Sequence, residues 1–483
     1  MNILKNLKPQ IVWSIFEDIC QVPRPSKKEG KIIEYLLNWA KEHQIEAKRD
    51  EIGNIIMRKP ATKGRENAPS VIMQSHIDMV CEKNNDVDFN FETDAIVPRI
   101  DGEWVKATGT TLGADDGIGM AAQMAVLLST DIAHGPIEAL FTVDEETGLT
   151  GAFALQPGFF ESKTLINLDS EDEGELFIGC AGGIDTTATF DFEQEAVPSN
   201  HKAFKIEIKG LNGGHSGDEI DKGYGNANKI INRILWNSDK FDLKLSDLVG
   251  GNLRNAIARE AVAIVTIKKD SVDDFKSYFE QFSRDVKAEL KTTEKNLELI
   301  LSETEMPEFV IDENTQYNLI NALYACPHGV IEMSRDMENM VETSTNLASV
   351  NIDKKKGKIL VTTSQRSSVD SSKYDIASMV KSVFILAGAK VEHGDGYPGW
   401  APNTDSEIMK ISADSYEKLF HKKPIVRSIH AGLECGLFLE KYPDLDMISF
   451  GPTLRAVHSP DERINIETVE KFWKHLVDVL ESI

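Results

Sequence analysis

The chain has 483 residues, 41% of them hydrophobic and 27% charged, with a formal net charge of −25. Such a length exceeds one ordinary core, so two domains are expected, and no run approaches the ~20 apolar residues of a bilayer-spanning helix. The acidic balance disfavours nucleic acid and anionic membranes as partners.

Five scattered cysteines, none in a C-x-x-C pair, argue against a disulfide framework and a structural thiolate zinc site. Residues 1–9 lack an apolar signal core, which predicts a cytoplasmic location.

In chain order, residues 9–43 read as two amphipathic helices separated by a break at Val22-Pro23-Arg24-Pro25-Ser26. Ser26 followed by Glu29 suggests a capping box for the second helix. Residues 51–58 and 70–74 are short β-type runs, the latter leading into Gln74-Ser75-His76-Ile77-Asp78. A helix is predicted over 112–129 behind a Gly-Ala-Asp-Asp-Gly turn. A strand then ends at Asp144-Glu145-Glu146-Thr147-Gly148, and another at Asn167-Leu168-Asp169. Polar residues at successive strand ends point to an α/β sheet with its site there.

After about residue 187 the pattern changes. Residues 203–209 alternate as in a sheet with one wet face, followed by a helix at 226–238, strands near 253–268 and a helix near 272–292. A second round occupies 345–352, 358–365 and 374–387, which suggests a duplicated α+β insert. The stretch 391–406 is Gly/Pro-rich, and the remainder reads as α/β again. The simplest architecture is a catalytic α/β domain in two parts, 1–187 and 391–483, interrupted by a lid domain at 188–390.

The candidate metal ligands are His76, Asp115, Glu146, Asp169 and His458. Imidazole and carboxylate without thiolate suit a catalytic zinc, cobalt or manganese ion. A shared carboxylate would make the site dinuclear. Asp78, two residues after His76, suits the imidazole's far nitrogen, and Glu145, beside Glu146, suits a general base. Taken singly, each signal has an ordinary reading: Asp115-Asp116-Gly117 as a helix-capping turn, Glu145-Glu146 as acidic residues at a helix start, Asp169 as a loop residue. Their joint order is the informative feature.

That order resembles the co-catalytic zinc exopeptidases, which include carnosinase-like dipeptidases, aminoacylases and aminotripeptidases. The matching segments are Ser-His-Ile-Asp at 75–78, Gly-Ala-Asp-Asp-Gly at 113–117, Asp-Glu-Glu-Thr-Gly at 144–148, Asn-Leu-Asp at 167–169, Gly-Gly-His-Ser-Gly at 213–217, and His458. Arg24-Pro25-Ser26, Leu112-Gly113-Ala114-Asp115 and 430–436 (His-Ala-Gly-Leu-Glu-Cys-Gly) are similar to the subgroup that cleaves aminoacyl-histidine dipeptides.

The resemblance implies a mixed sheet flanked by helices, an inserted α+β lid, and two divalent ions per chain, zinc foremost. His76 and Asp169 would complete one ion and Glu146 and His458 the other, with Asp115 bridging through a cis Asp115-Asp116 peptide. Glu145 would be the general base and Asp78 the partner of His76. It further implies His215 as a lid residue steadying the oxyanion, Asn255 as a substrate contact and Arg366 as a clamp on the terminal carboxylate. Glu434, a natural ammonium partner, is a candidate for the substrate's amino end. Lid closure would bring His215 and Arg366 into place.

The expected partner is a small peptide, Xaa-His dipeptides such as carnosine foremost, with a homodimer open. The alternatives are an aminotripeptidase, an N-acyl-amino-acid amidohydrolase, or a metal-holding scaffold without catalysis. Glu145 and Asp78 count against the scaffold, since neither is needed merely to bind an ion.

Overall fold

The computed structural model describes residues 3–84 and 86–483. The chain divides into two units, one of residues 1–179, 402–428 and 433–483, the other of 180–401 and 429–432.

The first unit is built on an eight-stranded mixed sheet. Its strands run, in spatial order, Glu46–Arg49, Ile55–Lys59, Ile137–Thr142, Val71–His76, Thr164–Asn167, Asp446–Ser449, Glu175–Cys180 and Ile425–Ile429. The four from Ile137–Thr142 to Asp446–Ser449 are mutually parallel. Val71–His76 and Ile137–Thr142 are buried at every position, including the polar Gln74, Ser75, His76 and Glu138. Helix Ala114–Leu128 is buried almost all round, its Gly and Ala residues allowing close packing against Val71–His76 and against helix Gln10–Ile19.

A small four-stranded sheet pairs Leu454–Arg455 with Arg463–Asn465, then Trp104–Lys106 and Arg99–Asp101. The hairpin between its first two strands carries His458.

The second unit has one nine-stranded antiparallel sheet over an apolar core. Strands His201–Lys209, Lys244–Gly250, Ala261–Lys268 and Glu298–Glu303 alternate in sequence with helices Ala227–Trp236 and Val272–Glu289, giving the spatial order fourth, first, third, second. The same order recurs in Gly182–Asp191, Val341–Asp353, Lys358–Ser367 and Lys390–His393, with helices Glu313–Ala325 and Asp370–Leu386. The first set is nested in the loop after Gly182–Asp191. The two halves join where Val249 and Gly250 pair with Asn351 and Val350. The ninth strand, Gly329–Met333, pairs with Val341–Asp353. This is a duplication of topology without a residue-level repeat.

One local expectation fails. Helix Gly30–Glu42 has no side-chain cap. Ser26 Oγ instead donates to Asp78 Oδ2 at 2.8 Å, and Glu29 Oε1 accepts the Lys27 amide at 2.7 Å. The Ser26 hydroxyl is oriented by the buried Asp78 carboxylate, a strong charged acceptor.

Candidate metal centre

The parallel strands place ionisable groups at their C-terminal ends. His76 is the last residue of its strand, Glu145 and Glu146 follow Ile137–Thr142, and Asp169 follows Thr164–Asn167. Asp115 stands in the first turn of helix Ala114–Leu128, and the Asp115-Asp116 peptide is cis. His458 comes in from the hairpin, with Ala456 and His458 both at positive φ.

These elements converge. His76 Nε2 lies 3.1 Å from Asp115 Oδ1 and 3.5 Å from Asp169 Oδ1. His458 Nε2 lies 3.2 Å from Asp115 Oδ2 and 2.9 Å from Glu146 Oε2. Asp115 thus offers one oxygen to each imidazole. Two triads of potential ligands, His76–Asp115–Asp169 and Asp115–Glu146–His458, share it. Glu145 groups with His76 and Glu146, its ligand atom within 4.8 Å of theirs.

Asp78 is fully buried and has two tasks. Its Oδ1 lies 3.3 Å from His76 Nδ1, which turns Nε2 toward Asp115. Its oxygens also accept the Glu145 and Glu146 amides at 3.0 and 3.3 Å. Asp116, next to the shared carboxylate, points elsewhere: its Oδ1 accepts the Gly119 amide at 3.0 Å.

The electrostatics call for cations. Burial first, then neighbouring carboxylates, pushes Asp169 up to about 7 and Glu171 up to about 9, and raises Glu145 and Glu146. Burial opposes charge on His458, yet its bonds to Asp115 and Glu146 raise it to about 11. Asp115 is lowered: burial works against its charge but the two imidazoles prevail. Glu146 Oε1 is buried without a partner. Packed carboxylates that resist ionisation until positive charge arrives, with two imidazoles aimed at one of them, are a donor set that fits two divalent ions.

The second unit gathers the other predicted residues except Glu434. Arg366, on strand Lys358–Ser367, is buried, donates from Nη1 to the Tyr397 hydroxyl at 3.0 Å, and keeps Nε without a partner. His215 Nδ1 lies 3.3 Å from Asp218 Oδ2. Asp218 is lowered: burial opposes its charge, but its bond to His215 and the Arg366 guanidinium prevail. His430, bonded through Nε2 to Ser344 Oγ at 2.7 Å, is lowered to about 3 by burial and Arg366 and is neutral. The Asn255 side chain is exposed, while its backbone carbonyl accepts the Ser216 amide at 2.8 Å, tying its loop to that of His215.

Glu434 belongs to the first unit and is wholly buried. Its Oε2 accepts Gln74 Nε2 and Thr142 Oγ1, each at 2.6 Å, while Oε1 has no partner. Burial, then surrounding charges, raises it to about 8. Sequence reasoning passed over Tyr397, His430 and Asp218. A hydroxyl or second histidine has no periodic or spacing signal and gains meaning only when the fold sets it beside Arg366.

The model of Peptidase family M20/M25/M40 matches residues 72–482. The chain is 46% identical over 484 aligned residues to the cytosol non-specific dipeptidase of Escherichia coli, covering 100% of this chain and 99% of that one. It is also 46% identical to the crystal structure of aminoacylhistidine dipeptidase from Vibrio alginolyticus, with a TM-score of 0.89 and coverage of 99% and 98%. The fold alone extends to aminopeptidase PepT from Bacillus cereus, at 17% identity, coverage of 99% of each chain and a TM-score of 0.57.

Proposed function

The chain belongs to Peptidase family M20/M25/M40, and on that premise we propose that it hydrolyses dipeptides, Xaa-His dipeptides among them, with two divalent ions held by His76, Asp115, Glu146, Asp169 and His458. The observation that carries the reading is Asp115, whose two oxygens each face a different imidazole.

Bound there, two divalent ions supply Lewis acidity toward the scissile carbonyl and an acidified water, with zinc favoured by the nitrogen and oxygen donors. The rest falls to the chain. Asp78 fixes the tautomer of His76 and, through the amides of 145 and 146, the orientation of both glutamates. Glu145, held close to His76 and Glu146, takes the proton of the attacking water and returns it to the leaving nitrogen. His215 donates from Nε2 to the developing oxyanion, because its Nδ1 accepts the Asp218 amide at 3.3 Å. Arg366, steadied by Tyr397, binds the terminal carboxylate, a task suited to a planar guanidinium. Asn255 and the free Oε1 of Glu434 are the groups left for the rest of the peptide, including its amino end. The reading places the protein in the cytosol, the location in the name of its Escherichia coli relative.

The test is a panel of carnosine, other Xaa-His dipeptides, unrelated dipeptides, tripeptides and N-acetyl amino acids, run with metal quantification. Dipeptides should be cleaved fastest. EDTA should abolish activity, and zinc, cobalt or manganese should restore it. Preferential turnover of tripeptides or N-acetyl amino acids would overturn the dipeptidase reading.

A further inference from the structure

The hairpin that delivers His458 carries a buried carboxylate four residues later, and it bonds to the backbone of the turn that holds Asp115. Glu462 is 2% exposed, and no basic side chain neutralises it among its bonded neighbours. Its Oε2 accepts the amides of Leu112 and Gly113 at 2.7 and 2.9 Å, and its Oε1 those of Ala114 and Asp115 at 2.7 and 3.4 Å. Four consecutive N–H groups aimed at one carboxylate form an anion nest, filled here from within the protein.

The turn can present its amides this way because Gly113 sits at φ 70°, and a Cβ there would fall 2.7 Å from Arg24 Nη2. Arg24, also buried, holds the opposite side. It donates through Nη2 to the Gly113 carbonyl and through Nη1 to the carbonyls of Ile77 and Asp78. The turn before Asp115 is therefore gripped by its amides from the His458 hairpin and by its carbonyl from Arg24, which also ties it to the segment that follows His76.

We propose that Glu462 is the positioning residue of the centre, with Arg24 as its counterpart. By locking the 112–115 turn to the His458 hairpin, it sets where Asp115 stands relative to both imidazoles. It acts through the backbone of a ligand turn and touches neither substrate nor ion. The inference rests on reading Asp115 and His458 as ligands.

The discriminating variant is Glu462→Gln. It keeps the size of the side chain but turns one acceptor oxygen into an NH2 group, which then faces amide donors. Cobalt(II) titration of the full chain, followed by its visible absorption, reads the centre without turnover. Wild-type protein should bind two cobalt ions, and Glu462→Gln should bind at least one of them roughly 10- to 100-fold more weakly, the scale on which groups behind metal ligands act. Thermal unfolding of the metal-free proteins is read alongside. A lower midpoint with unchanged cobalt affinity is the mark of a scaffold residue and overturns the proposal, as does an unchanged affinity with an unchanged midpoint. Should Glu462→Gln not fold, Glu462→Asp is judged by the same criterion, because the shortened carboxylate no longer reaches all four amides. Wild-type protein that takes up no cobalt would remove the ligand reading itself and the clamp with it.

Discussion

Glu145 and Glu146 are adjacent, both resist ionisation through burial, and both amides are held by Asp78, yet only Glu146 reaches the imidazole of His458. In the proposed mechanism that difference makes Glu146 a ligand and Glu145 the base. Glu145→Gln protein should keep about two metal ions while losing at least about 10²-fold in kcat, measured by steady-state kinetics beside metal analysis. Near-normal turnover would remove Glu145 from the chemistry. Arg366→Ala should raise KM for dipeptides with a free carboxylate and leave C-terminally amidated ones little changed; equal losses on both would remove the clamp. The candidate residues legible in the sequence are those at the ends of strand-like runs, as His76, Glu146 and Asp169 are, together with Asp115 and His458, marked by their place in the joint order of motifs. Glu462 and Arg24 were not, because their partners are backbone amides and carbonyls, which every residue carries alike. Glu434 was legible only as a charge. Its hydrogen bonds come from Gln74 and Thr142 inside the fold, partners that no spacing announces.

Between neighbouring strands, a chain of buried polar groups runs beneath the proposed ligands. Ser170 Oγ meets Ser449 Oγ at 2.6 Å, Ser449 donates to Asn167 Oδ1 at 2.5 Å, Asn167 donates to Gln74 Oε1 at 2.6 Å, and Gln74 and Thr142 converge on Glu434. Four adjacent parallel strands are tied together one step below the ends that carry His76, Glu145, Glu146 and Asp169. Gln74→Leu has nearly the same volume but removes one buried hydrogen bond from Asn167 Nδ2 and one from Glu434 Oε2. It should therefore cost about 1–3 kcal/mol in chemical denaturation, and a loss within error of zero would show that the chain of bonds contributes nothing to stability. At this scale the buried strands and the long helices were readable from periodicity. The short edge strand Glu46–Arg49 and the strand Lys244–Gly250 were not. The first is mostly exposed and charged, and the second carries a bulge between Leu245 and Asp247 that breaks its alternation.

Across the whole molecule, two α+β halves with the same strand order build the second unit, and their nesting explains why the sequence suggested a doubling but offered no repeat to align. The first unit carries an acid-sensitive element of its own. His475 is buried, donates from Nε2 to the Ser412 carbonyl at 2.8 Å, and packs against Phe450. Burial lowers it to about 4. Above about pH 6.5 it is neutral in both folded and unfolded chains. As pH falls from there toward 4, the unfolded chain takes up a proton that the folded one refuses, and stability drops by something on the order of 3 kcal/mol. Denaturation in EDTA at pH 7.5 and 4.5 should show a smaller acid loss for His475→Gln than for wild type; equal losses would exclude His475 as the source.

The central claim is that Asp115 stands between two cations, and anomalous diffraction from zinc-loaded crystals tests it most directly. The account predicts two peaks per chain, one among His76, Asp115 and Asp169 and one among Asp115, Glu146 and His458. A single peak, or none within reach of the Asp115 carboxylate, would contradict it.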